Sequence, residues 1–481
     1  MNRKMVFYLV GQMIRLTAVL MILPTCVAFL YGESCFVSFC ISIGIALGIG
    51  TVLTLVFKPD NKVIYAKEGY ITVAFSWLAL SAVGALPFYI SGEIPSYVDA
   101  FFETVSGFTT TGASILTNVE AMSKGLLFWR SFTHWIGGMG VLVFIMAIIP
   151  SLSDRSIHLM RAEVPGPVVG KLVPRIKDTA RILYTMYLAL TALEIVFLLA
   201  GGMPLFDSLV HTFGTAGTGG FGIKADSIAG YSHYLQWVIT IFMLLFGINF
   251  NVYYLLLLRN FKQVRCSGEL WTYLGIVGVS TALVAANIMP LAKNAMDALR
   301  LSAFQVASII TTTGYATTDF NLWPTFSKSV LLVLMFIGAC AGSTAGGIKV
   351  SRVVMLFKMI WRELRHMLHP RSVGVVKFEG KRVDDNTLSS VGTYFALYMV
   401  LFFAIFLLMS LEPFDIETTF SATASCFNNV GPALGAAGPA SSYAEFSDFS
   451  KVLLSLAMLF GRLEIYPLLF ALTPSTWMKN K

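Results

Sequence analysis

Apolar residues cluster into ten stretches, near 6–30, 36–57, 70–91, 126–149, 181–201, 234–258, 270–290, 327–357, 389–411 and 451–472. A helix needs about 20 apolar residues to cross a hydrocarbon core of about 30 Å. Each stretch therefore predicts a membrane-spanning helix. Four of the intervening segments are themselves moderately apolar, but only for about 12 residues, too short to span and long enough to re-enter. The pattern predicts an all-α polytopic membrane protein with about ten transmembrane helices plus four re-entrant pore loops.

The four short segments repeat one pattern. They read DAFFETVSGFTTTGAS from Asp99, DSLVHTFGTAGTGGFG from Asp207, LSAFQVASIITTTGYA from Leu301 and TTFSATASCFNNVGPA from Thr418. Aligned on Gly112, Gly220, Gly314 and Gly431, each carries a small residue six positions earlier: Ser106, Gly214, Ser308 and Ser425. The two residues before each glycine are Thr110 and Thr111, Thr218 and Gly219, Thr312 and Thr313, and Asn429 and Val430. The copies lie roughly 100 residues apart, beyond the 20–50 residues of a solenoid unit. That spacing suits a repeated helix–half-helix–helix module.

Irregular backbone at membrane depth survives only where protein buries it or where it lines a watery cavity. Four such loops around one axis would offer carbonyl and hydroxyl oxygens in place of a cation's hydration shell, with no fixed charge to trap the ion. Glycine permits the positive φ that turns successive carbonyls toward an axis. Short helices ending at the loops would add negative potential there. A single TTTG would suggest no more than a polar helix cap. Four registered copies, each between two spans, favour an ion-binding filter.

Composition agrees: of 481 residues, 56% are hydrophobic and 12% charged, against roughly 25% charged in soluble domains. The net charge of +8 is best read by position. With the N-terminus inside, the inside segments hold Arg3, Lys4, Lys58, Lys62 and Lys67, then Arg155 to Arg181, Arg259 to Arg265, Lys358 to Arg382, and Lys479 and Lys481. The outside segments hold only Lys124, Lys224, Lys293, Arg300, Lys328 and Lys451, and are acidic instead, from Glu93 to Asp448. The positive-inside rule therefore puts both termini in the cytoplasm, and the basic surplus does not imply nucleic acid. The outer acids are either an ordinary solvated surface or a vestibule that concentrates cations. Six scattered cysteines form no CxxC pair, so neither a zinc site nor a disulfide framework is indicated. The first apolar stretch reads as a retained helix, since Arg15 interrupts it and no small-x-small cleavage site follows.

Two features lie beyond the filter segments. The stretch 327–357 is interrupted by Gly338, Gly342, Gly346 and Gly347, with Ser343 and Thr344 among them and Lys349 at the end. Glycine costs a helix interior about 1 kcal/mol against alanine. The cluster reads either as a close helix-packing face or as a loop that obstructs the path below the filter. Arg462 lies mid-way along the last stretch, where a cation normally faces a cavity or a partner. It reads as an electrostatic barrier beside the pore, or as half of a structural ion pair; Glu464 points elsewhere on a helix. His134, Trp135 and the glycines of 137–140 read as close packing, Glu194 as paired within the bundle, and Arg15 as snorkelling or paired. HExxH, GxSxG and an intramembrane carboxylate pair do not occur, so nothing favours an enzyme.

These motifs resemble the Trk/Ktr/HKT superfamily of potassium transporters, in particular its TrkH-type membrane subunits. The resemblance rests on SGFTTTGAS (106–114), TAGTGGFG (215–222), TTTGYATTDF (311–320), CFNNVGPALG (426–435), GACAGSTAGGIKV (338–350) and GRLEIYP (461–467), and covers essentially the whole chain. It implies two extra helices (1–67) and four pore repeats (68–162, 163–265, 266–368 and 369–481) in a bacterial inner membrane. It implies potassium as substrate, a homodimer in membrane lipid, and no cofactor on this chain. It also implies gating by a cytoplasmic RCK-type, TrkA-like ring that carries the nucleotide, NAD or ATP/ADP. Asn428-Asn429-Val430 in the fourth copy departs from the Thr- and Gly-rich others, which predicts a modest preference for potassium over sodium. A coupled secondary transporter, binding its ion at broken helices, is the alternative.

Overall fold

A chain crossing lipid must satisfy its own backbone, and helices do so within a single segment. The computed structural model describes residues 2–60, 64–140, 176–372 and 374–477. Six of its helical stretches are long and apolar enough to cross a membrane: Arg3–Tyr31, Cys35–Val56, Lys67–Ile90, Thr179–Ala200, Gly268–Leu291 and Asp385–Met409. Their outward faces carry large apolar side chains such as Leu30, Leu55, Val400 and Leu407. Such faces suit lipid and would be a liability in water. Arg15 is exposed, and its stem lies against Gly50.

In the other four stretches the leading helix stops short of the predicted end. The expectation placed one break, in 327–357, and continuous helices elsewhere; the structure corrects this. Helix Lys124–Gly138 ends just before Gly140, whose φ is 81°; the rest of that stretch, 141–149, lies outside the described residues. Helices His233–Phe246 and Phe250–Leu257 meet at 89°. Thr325–Ile337 and Val350–Leu368 are separated by non-helical 338–349, which excludes the helix-packing reading of its glycines. Asp448–Arg462 and Tyr466–Leu472 are separated by Glu464 and Ile465, with φ of 55° and 69°. The breaks satisfy one another: Cys340 N donates to Gly247 O at 3.1 Å, and Phe250 N to Gly342 O at 3.1 Å.

The termini share one side of the molecule, since the Arg3 guanidinium donates to Trp477 O at 2.6 Å. Lys4 meets Asp60 there at 2.9 Å. On the other side Glu33 accepts from Lys124 N and Gly125 N at 2.8 and 2.9 Å, and Glu93 from Ser123 N at 2.9 Å. Shared termini agree with an even number of crossings. A two-residue hairpin pairs Lys377 and Phe378 with Arg382 and Lys381. The basic residues expected at Lys62, Arg155, Arg161, Lys171, Arg175, Lys479 and Lys481 lie outside the described residues.

Candidate functional site: a ring of four re-entrant loops

Each short segment is a helix followed by a turn. The helices are Tyr97–Phe108, Leu205–Gly217, Ala295–Ile310 and Ile416–Phe427. All four end alike. Thr110, Thr218, Thr312 and Asn429 take left-handed backbones, with φ of 56°, 55°, 55° and 57°. The next residue then bonds back to the small residue in the last turn. Thr111 N donates to Ser106 O at 2.9 Å, Gly219 N to Gly214 O at 2.8 Å, Thr313 N to Ser308 O at 2.8 Å and Val430 N to Ser425 O at 2.9 Å. This is the Schellman helix stop, with threonine or asparagine where glycine is usual. A β-branched residue at positive φ carries strain. The turn ends at Thr110, Thr218, Thr312 and Asn429, and the residues that follow are neither helix nor turn; the positive φ is not confined to glycine.

The four turns close into a ring. The alignment glycines have φ of 82°, 75°, 85° and 103°. A Cβ on Gly112 would fall within 3.0 Å of Gly219 O, on Gly220 within 3.0 Å of Thr313 O, on Gly314 within 3.0 Å of Val430 O, and on Gly431 within 3.0 Å of Thr111 O. Each glycine therefore abuts the carbonyl before the glycine of the next loop, in the order one, two, three, four and back to one. The opening is narrow, since the Cβ on Gly112 would also lie 3.7 Å from Thr313 O in the opposite loop. Four helix C-termini, each a site of partial negative charge, end at this ring.

The ring is more nearly twofold than fourfold. Loops one and three share a bonded threonine pair, Thr109 with Thr111 and Thr311 with Thr313, both at 2.8 Å. In loop four Asn429 Nδ2 donates to Thr111 Oγ1 and to Met458 O, each at 2.9 Å. Tyr398 donates to Asn428 Oδ1 at 2.9 Å.

A buried ion pair braces the ring from behind. Arg130 Nε meets Glu103 Oε1 at 2.5 Å, both side chains almost wholly shielded. Glu103 also accepts from Ser114 Oγ and Ile115 N at 2.9 Å, on the strand leaving loop one. Arg130 Nη1 donates to Gly222 O at 2.9 Å, and its guanidinium lies 3.5 Å over the Phe221 ring, after loop two. Other outer acids are similarly engaged: Asp99 with Lys451 at 2.6 Å, Glu417 with Lys328 at 2.7 Å, Asp207 with Tyr231 at 2.8 Å. Asp226, Asp415, Glu445 and Asp448 are exposed. Part of the acidity read as a vestibule, Glu103 above all, is therefore engaged within the protein.

On the side of the termini, the ring meets segment 338–349. Gly346 N donates to Thr312 Oγ1 at 2.7 Å. Lys349 Nζ is buried and donates to Gly346 O at 3.0 Å and to Ala345 O. Arg462 Nη1 donates to Thr344 O at 2.8 Å, and its other terminal nitrogen to Gly138 O at 2.7 Å and to Gly137 O. Thr344 Oγ1 donates to Phe246 O at 3.3 Å and Ser343 Oγ to Cys340 O at 2.6 Å. Gly338, Gly342 and Gly347 carry the positive φ of the turns, at 70°, 69° and 74°. All four interrupted helices thus converge on this one segment.

The sequence profile of the TrkH family, described as "Cation transport protein", matches residues 37–277 and 279–479. The Trk system potassium uptake protein TrkH of Salmonella typhimurium is 35% identical over 486 residues, covering 99% of this chain and all of that one. TrkG of Escherichia coli is 34% identical over 98% of each chain. The crystal structure of the potassium transporter TrkH from Vibrio parahaemolyticus matches with a TM-score of 0.89 at 32% identity, over 99% of this chain and 100% of that one. The chain belongs to the TrkH family of cation transport proteins. It is a multi-pass membrane protein.

Several residues of this TrkH-family chain escaped the sequence reading. Glu269 is 3% exposed, and its Oε1 accepts from Ala341 N at 2.7 Å and Ser351 N at 3.2 Å, near the two ends of the intramembrane segment. In sequence it is an ordinary first-turn glutamate, favoured by the helix dipole alone. Glu103 and Arg130 lie 27 residues apart, with no local signal joining them. Glu464 does point away from Arg462; it pairs with Arg352, whose Nη1 lies 3.0 Å from Glu464 Oε1. Glu194 is fully buried, but no ion partner meets it among the described residues. Gly137 and Gly138 are close-packing positions as read, against Phe108 O and Gly217 Cα.

Proposed function

We propose that this chain carries potassium into the cell through a channel-like pore whose filter is the ring of Thr110, Thr111, Gly112, Thr218, Gly219, Gly220, Thr312, Thr313, Gly314, Asn429, Val430 and Gly431. The closed cycle of glycine against carbonyl carries this reading. It packs the carbonyls of Thr111, Gly219, Thr313 and Val430 against the glycines of their neighbours around one opening. Neutral oxygens there replace water around a monovalent cation without holding it permanently. The names of the relatives supply the ion. The inequivalent loops favour a modest preference for potassium over sodium.

The gate is segment 338–349, built on Gly338, Gly342, Ser343, Thr344, Gly346, Gly347 and Lys349, with Arg462 as its bolt. Two buried cations beneath a cation filter oppose passage, and the segment tied to Thr312 obstructs the path. The four pore repeats are 68–162, 163–265, 266–368 and 369–481, after two extra helices. Residues 141–175, across the first boundary, lie outside the described residues. The membrane is the bacterial inner membrane, with both termini in the cytoplasm. The chain works as a homodimer under a cytoplasmic nucleotide-binding ring, which holds the NAD or ATP/ADP.

Potassium and sodium currents from purified protein in planar bilayers, with and without such a ring, test this. The expected result is discrete currents, larger in potassium, not abolished in sodium, and altered by the ring. Uptake in strict stoichiometry with a second ion, without discrete currents, would replace the channel with the coupled transporter.

A further inference from the structure

The bond from Gly346 N to Thr312 Oγ1, at 2.7 Å, joins the obstructing segment to the ring itself. Thr312 is one of four equivalent left-handed residues. Its counterpart in the opposite loop, Thr110, has a buried hydroxyl with no hydrogen-bond partner among the described residues. Thr218 Oγ1 donates to Gly217 O at 2.6 Å, and the Asn429 amide is tied to Thr111 and Met458. Of these four side chains, only Thr312 is held by the intramembrane segment. Gly346 also fits tightly beneath loop four. A Cβ there would collide with Asn428 O and lie 3.0 Å from Asn429 Cβ.

We propose that Thr312 Oγ1 is a shared acceptor, taken either by the Gly346 N–H when the segment is closed or by a potassium ion at the lower end of the ring. The two states oppose each other electrostatically. A hydroxyl oxygen has two lone pairs, but the positive end of the N–H dipole and a cation repel when both sit on that one oxygen. Filter occupancy and gate closure are then linked and reciprocal. Potassium in the ring loosens the segment, and the closed segment weakens potassium binding at the lower end. The inference rests on the filter reading above and adds a coupling between filter and gate. Thr312 acts on the gate by positioning Gly346.

Cys340, in the segment and buried, is a native reporter of its displacement. The full-length protein in proteoliposomes is alkylated with iodoacetamide, and Cys340 modification is followed by mass spectrometry. Potassium chloride is exchanged for choline chloride at constant ionic strength. In the unaltered protein, potassium is expected to speed Cys340 modification several-fold. Thr312→Val keeps the shape and removes the acceptor, so modification without potassium should rise on the order of ten-fold and lose its potassium response. Thr312→Ser should restore both. Gly346→Ala leaves the ring intact but cannot seat beneath Asn428, so it should also raise modification without potassium. If potassium raises the melting temperature of the protein but leaves Cys340 modification unchanged, the coupling is overturned and the filter stands. If potassium changes neither, the filter reading falls with it. Equal modification of Thr312→Val and unaltered protein in choline overturns the latch.

Discussion

Glu269 offers a way to weaken the proposed gate without touching the proposed filter. Its single Oε1 receives Ala341 N and Ser351 N, so one carboxylate holds both ends of segment 338–349 to the helix Gly268–Ile288. Hydrogen bonds to a charged group contribute about 1.5–3 kcal/mol, and neutral ones about 0.5–1.5 kcal/mol. Glu269→Gln keeps an acceptor oxygen and removes the charge, so each bond loses about 1 kcal/mol. Two bonds together shift the closed segment toward opening by about 2 kcal/mol, roughly a 30-fold change in population. The same exchange takes a buried charge out of the protein, which is often neutral or favourable for folding. The variant should therefore keep its melting temperature while rubidium uptake into proteoliposomes, without a regulatory ring, rises by about an order of magnitude. Its potassium-to-sodium ratio should not move, because no filter atom changes. Uptake equal to that of the unaltered protein, in a variant that melts normally, would refute the clamp.

Arg462→Gln loses the charge and most of the donors that join Thr344 O to Gly137 O and Gly138 O; cation flux should rise at least ten-fold on the loss of about 1.5–3 kcal/mol, and a fall in flux in folded protein would count against a barrier. Gly220→Ala forces a Cβ into Thr313 O at a φ of 75°; the ring must open, so potassium uptake and its excess over sodium should both fall, and unchanged values would argue that the carbonyls do not face the ion. Glu103→Gln weakens the pair that ties loop one to loop two through Arg130; selectivity among potassium, rubidium and sodium should change more than total flux, and a pure stability loss with unaltered selectivity would reduce the pair to a structural role.

The long apolar stretches and the four registered segments were legible because each obeys a local rule, length for the spans and a short repeated motif for the loops. The glycines at 112, 220, 314 and 431 announced positive φ, and the structure has it at each. The left-handed threonines did not announce themselves. Threonine is a poor residue for that conformation, and only the Schellman bond from Thr111, Thr313 and their equivalents reveals it. The small residue six positions before each glycine was visible, but its role as acceptor of that bond was not. The break at 247–249 escapes because single glycines beside apolar residues are common in membrane helices, and that at 463–465 because its positive φ falls on Glu464 and Ile465, not on a glycine. What settles them is cross-bonding between breaks, as from Phe250 N to Gly342 O. Glu269, Glu103 and Arg130 meet their partners only through the fold, and periodicity carries no trace of them.

The permeating ion is proposed to bind within one ring of four carbonyls. Anomalous diffraction from crystals soaked in thallium(I), a potassium mimic with a strong signal, tests it most directly. A peak is expected on the axis, ringed by the carbonyl oxygens of Thr111, Gly219, Thr313 and Val430. A strong thallium peak at another site in the bundle, with none inside the ring, would contradict it.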